Sequence, residues 1–112
     1  MAVKLQSSPF GGRTRTRVLL ALRLLSESYP RELSRVLGTP LSAVQKAFRS
    51  LELDGLVAGR SAGRTRLFRI NPRYFAYDTL QAFLLRLSEP EADLREGVEA
   101  LRRRPRRTGK PL

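Results

Sequence analysis

The sequence predicts a mainly α-helical fold carrying one small β-hairpin, and three observations point there. Apolar residues repeat at helical spacing through 14–27, 30–37, 41–54 and the segment after Asn71. Between 56 and 70 the pattern changes to a short apolar run followed by strict alternation. Gly38, Pro40, Gly55, Gly59 and Gly63 fall where these patterns break. At 112 residues and 41% apolar content the chain can build one core of ordinary size.

Within 14–27, Val18, Leu19, Leu20, Ala21, Leu22, Leu24 and Leu25 are more than a single helical stripe can use, so a second covering surface is expected. Pro30 suits the first turn of the next helix, where its missing N–H has no partner to lose. Leu33, Val36 and Leu37 give that helix its apolar stripe, and Gly38 stands where a left-handed cap ends it. Pro40 restarts helix with Thr39 available as its cap, so the two helices are joined by a turn of about three residues, as in a helix-turn-helix. On 41–54, Leu41, Val44, Phe48 and Leu51 form a packing stripe. Ser42, Gln45, Lys46 and Arg49 form a second stripe roughly 130° away, until Asp54 and Gly55 end the helix.

After Gly55, Leu56, Val57 and Ala58 read as one strand, 59–63 as turn, and 64–70 as a second strand with Phe68 and Ile70 on one face and Leu67 and Arg69 on the other. A lone hairpin is marginal in water, so the Phe68 and Ile70 face should rest on the helices. Its tip carries Arg60, Ser61, Arg64 and, just beyond, Arg66. The segment from Pro72 holds Tyr74, Phe75, Tyr77, Leu80, Phe83, Leu84 and Leu87 over a broad arc. With the apolar helix at 14–27 it is expected to form an isologous dimer interface. From Glu89 the chain turns acidic and then, after Leu101, strongly basic, with Leu94, Val98 and Leu101 at i, i+4, i+7. The expected organisation is a flexible segment 1–12, a domain 13–88, and a charged tail 89–112 that is partly helical or disordered.

The stripe of Ser42, Gln45, Lys46 and Arg49 offers small, amide, ammonium and guanidinium groups, the types that bond to base edges and phosphates in a major groove. Arginines on a hairpin tip suit phosphate or a narrow minor groove. A solvated helix face and a soluble hairpin edge are the plainer readings of the same residues. Charge points to a polyanion: 22 Lys and Arg stand against 10 Asp and Glu, a formal +12, and fifteen of the basic but only five of the acidic residues lie in 1–88. RNA readers more often offer a sheet of stacking aromatics, and this hairpin has only Phe68.

The chain has no cysteine and no histidine, which removes disulfides, thiolate metal sites and the usual nucleophile-base pairs. Gly55, Gly59 and Gly63 punctuate a hairpin and lack the Lys-Ser/Thr of a phosphate loop. No catalytic residue, metal or cofactor is expected. The opening MAVKLQSSPFGG has no signal-peptide core and the apolar run 18–22 is too short to span a membrane, so a cytoplasmic, nucleoid-associated protein is expected.

The stretch LSRVLGTPLSAVQKAFRSLELDGLV at 33–57, followed by GRSAGRTRLFRIN, resembles the winged helix-turn-helix of bacterial transcriptional regulators of the ArsR and MarR type. The resemblance covers about 12–87. Its most specific pieces are Leu37-Gly38, Ser42 and Val44, the run LELDGLV, and the strand GRTRLF. The flanking SPFGGRTRTRVLLAL and NPRYF are similar to small winged-helix domains that stand alone or sit beside nucleotidyltransferase modules, none of which is visible in this chain. The resemblance implies a recognition helix that faces double-stranded DNA with Ser42, Ala43, Gln45, Lys46 and Arg49, and a wing that contacts it with Arg60, Arg64 and Arg66. Thr39 and Pro40 depart from the apolar-then-serine pair common at the start of that helix, which leaves its first residue open. Metal sensing, which many ArsR relatives perform with Cys and His, does not carry over. The expected function is a sequence-specific, homodimeric DNA-binding regulator, with no effector indicated. The alternative is a winged-helix assembly module for an acidic protein partner.

Overall fold

A computed structural model describes residues 9–103. They form α1 (Arg13–Leu25), α2 (Pro30–Leu37), α3 (Leu41–Leu53), β1 (Val57–Ala62), β2 (Thr65–Ile70), α4 (Tyr77–Ser88) and α5 (Ala92–Arg103). The architecture is thus mainly helical, with one antiparallel two-stranded hairpin.

Helix α1 is the axis of the core. Val18 through Leu22 are fully buried in succession, which a helix achieves only when it is covered on all sides. The covering comes from the chain itself: α3, α4, β2 and α5 all pack on α1. This corrects the expectation that α1 belongs to a subunit interface. The second surface its apolar arc requires is supplied internally, and α5 is part of it.

That helix also revises the expected tail. Leu94 and Val98 are 1% and 2% exposed, so residues 92–103 are a packed element of the domain rather than an appendage. The stripe Leu94, Val98 and Leu101 outweighs its acidic surroundings because the acids point outward. Gly97 lets α5 press against α2: a Cβ there would sit 3.0 Å from the Val36 carbonyl oxygen. Arg17 reaches from α1 beneath these helices and donates to the Leu37 carbonyl at 3.1 Å, satisfying the end of α2. Burial, and then neighbouring Arg13, lower the pKa of this guanidinium below its ordinary value, while Glu91 and Asp93 act in the opposite sense. Of the expected charged tail, residues 104–112 lie outside the described residues, as do residues 1–8 of the expected flexible segment. Within that segment Phe10 packs on the core, and its carbonyl accepts from Arg15 Nε at 2.5 Å.

Helix α2 begins at Pro30 and ends at Gly38 in the left-handed conformation. Thr39 closes α2 instead of opening α3: its amide donates to Ser34 O at 3.1 Å and its hydroxyl to Leu37 O at 3.3 Å. Pro40 takes the N-cap position of α3, so the helix starts at Leu41. Its buried stripe, Val44, Ala47, Phe48 and Leu51, seats it against the core.

The hairpin is longer and its turn tighter than the glycine spacing suggests. Ala62 pairs with Thr65, leaving a two-residue loop of Gly63 and Arg64 in which Gly63 takes a positive φ of 65°. The expected turn at 59–63 is therefore mostly strand, with Gly59 opposite Phe68. Phe68 stacks on Phe48 of α3 with ring centroids 4.2 Å apart, fixing the hairpin to the helix. A further bridge joins Ser28 to Phe68: the Ser28 amide donates to Phe68 O at 3.0 Å and the Phe68 amide to Ser28 O at 2.7 Å. Strand β2 is thereby hydrogen-bonded on both edges.

Candidate nucleic-acid interface

Burial of Val44, Phe48 and Leu51 turns the opposite face of α3 outward, and Ser42, Gln45, Lys46 and Arg49 are all exposed on it. Ala43 is half-buried and faces the start of α1, in a crevice shared with Arg13, Lys46 and Ser50. Leu53, one further turn along the outward stripe, is 88% exposed.

Between α3 and the hairpin lies a groove of about 670 Å³ that Gln45, Arg49, Glu52, Arg64 and Arg66 line together, with Tyr29 and Arg31 from the start of α2 at its other end. Phe48 and Phe68 contribute its apolar floor. Four of the lining side chains are guanidinium groups and one, Glu52, is a carboxylate. The groove is therefore cationic, with hydrogen-bond donors around an aromatic base, a composition that suits a phosphodiester strand.

The three hairpin arginines do not act alike. Arg64 occupies the exposed loop and has no ion pair among the described residues. Arg66 shares the inner face with Phe68 and makes a two-point ion pair with Glu52 of α3, at 3.0 and 3.3 Å. Arg60 projects from the opposite sheet face, paired with Leu67, and is held by Glu27 at 3.1 and 3.2 Å. The structure thus brings Gln45, Arg49, Arg64 and Arg66 to one groove, leaves Ser42 and Lys46 on the outer helix face, and separates Arg60 from all of them.

Sequence reasoning missed Arg31, Tyr29 and Glu52. Glu52 was legible in principle, since it lies seven residues after Gln45 and three after Arg49 on the hairpin-facing edge of α3. Arg31 carried no signal, because only the fold carries the start of α2 to the mouth of the groove.

No protein-family model and no curated protein matches the sequence. Among the described residues there is no group of three or more Asp or Glu that could hold a metal ion, and no helix is long and apolar enough to cross a membrane.

Proposed function

We propose that the chain is a winged helix-turn-helix, sequence-specific DNA-binding regulator of the type its ArsR- and MarR-like motifs imply. Helix α3 enters the major groove of a duplex, and the hairpin acts as the wing on the adjoining backbone or minor groove. A helix of 13 residues is about 20 Å long and a major groove about 12 Å wide, so the outward face of α3 can reach several base pairs. Gln45 and Arg49 are the base-reading side chains, Ser42 and Lys46 flank them, and Arg64 binds phosphate. The observation that carries this reading is the shared groove: Arg49 on the helix and Arg64 on the hairpin open onto the same space, so one polyanion engages both.

Dimerisation, which would set two such helices about one DNA turn apart, rests on α4 alone now that α1 is enclosed. Phe83 and Leu85 of α4 are 45% and 42% exposed. A nucleoid location follows from the proposed ligand.

One observation favours the assembly-module alternative: exposed Leu53 ends the same outward stripe of α3, as a docking face for a protein would. Selection of duplexes from a random pool at two salt concentrations tests the choice. A regulator returns an enriched motif whose affinity falls with salt; an assembly module returns none.

A further inference from the structure

On the side of the hairpin away from α3, a cavity of about 230 Å³ lies between the last turn of α1, the base of β2 and the start of α4. Arg23, Ser26, Arg69, Tyr77 and Gln81 supply its polar groups, and no Asp or Glu lines it. Arg15, Arg60, Arg66, Arg86, Arg102 and Arg103 each have a carboxylate partner, whereas Arg23 and Arg69 have none among the described residues. Arg23 is also anchored, its Nε donating to the Gln81 carbonyl at 3.0 Å, so its terminal amino groups are held in place with donors to spare. Two guanidinium groups on one small cavity repel each other, and an oxyanion between them relieves that repulsion while accepting from both.

The remaining groups narrow the ligand. Gln81 Nε2 donates to Tyr77 Oη at 3.2 Å, which leaves the Tyr77 O–H as a donor. A ligand completing this set brings negative oxygens for Arg23, Arg69 and Tyr77. The volume holds roughly seven or eight waters at about 30 Å³ each, below the size of a drug-like pocket. We infer that this cavity is a binding site for a small tetrahedral oxyanion, of which phosphate and sulfate are the simplest. Arg69 stands on the sheet face opposite Phe68 and α3, so this site is separate from the proposed DNA face.

The test is thermal unfolding of the full chain, without DNA, in phosphate, sulfate or chloride at matched ionic strength near pH 7. The expected result is a saturable rise in Tm with phosphate and with sulfate but not with chloride, roughly 5 °C at ten times the half-saturating concentration. Arg69→Ala, a change at an exposed side chain, should abolish it, and Tyr77→Phe should shift half-saturation upward several-fold. Arg49→Ala, which alters only the α3 groove, should leave it intact. A rise that does not saturate, no rise beyond that in chloride, or a rise lost in Arg49→Ala and kept in Arg69→Ala would overturn the inference, whatever the outcome for DNA.

Discussion

The Arg66 guanidinium and the Glu52 carboxylate meet through two parallel hydrogen bonds, of 3.0 and 3.3 Å, that tie β2 of the hairpin to α3. The arginine also lies 5.0 Å from the centre of the Phe68 ring and covers Gly59, so its position is fixed on three sides. Both partners are substantially solvent-exposed, which limits the pair to at most about 1 kcal/mol of stability. Its larger effect falls on the charge of the groove, because Glu52 is the one carboxylate among the groove's four arginines.

Replacing that carboxylate by an isosteric amide should therefore strengthen binding to any duplex. Glu52→Gln is expected to raise affinity about three- to tenfold near 0.1 M salt and to steepen the salt slope by about one. The melting temperature should change by no more than a few degrees. Fluorescence anisotropy at two salt concentrations, together with a thermal melt, checks both parts.

Gly59 is the space into which Arg66 and Phe68 fold. A Cβ there would collide with the Arg66 guanidinium and lie 2.8 Å from the Phe68 ring. Gly59→Ala should cost about 1–3 kcal/mol by forcing Phe68 off Phe48. Urea unfolding of the variant would report this as a lower midpoint with an unchanged slope.

A third expectation concerns α5. Leu94 is 1% exposed, so Leu94→Ala should destabilise the domain by about 2–5 kcal/mol. Ending the chain at Ser88 should uncover part of α1 and yield an insoluble or unfolded product. A dispensable tail would instead leave the melting temperature unchanged in both cases.

The sequence was most readable where one local pattern settled the structure, and least where partners are distant. Pro30 and Gly38 bracket α2, and the alternation of Phe68 and Ile70 points the hairpin inward, as found. The turn was misplaced because three glycines stand at four-residue intervals and only pairing chooses among them. The single bridge at Ser28 has no periodicity to reveal it. In α5 the apolar stripe was visible, but five neighbouring acids gave the segment the composition of a solvated tail. For the candidate site, the outward face of α3 was evident from helical spacing. The fate of each arginine was not: Arg60 meets Glu27 across 33 residues, and such an ion pair leaves no mark in the sequence.

The exposed side of α4 makes a specific prediction about assembly. Asp78, Ala82 and Arg86 lie four residues apart on it, beside Phe83 and Leu85. Antiparallel pairing about a two-fold axis at Ala82 sets each Asp78 against Arg86 of the other copy. Light scattering at micromolar concentration should give a dimer, Asp78→Arg should give a monomer, and adding Arg86→Asp should restore the dimer. A monomeric wild-type chain removes the α4 interface.

The most direct test of the proposed function compares Arg49→Ala with Arg64→Ala on a selected duplex and on scrambled duplexes of the same length. Arg49→Ala should weaken the selected duplex about ten- to a hundredfold, leave the scrambled ones nearly unchanged, and so erase the preference. Arg64→Ala should weaken every duplex by a similar factor and lower the salt slope by about one. Wild-type affinity and preference in both variants would contradict a DNA-reading role for the groove between α3 and the hairpin.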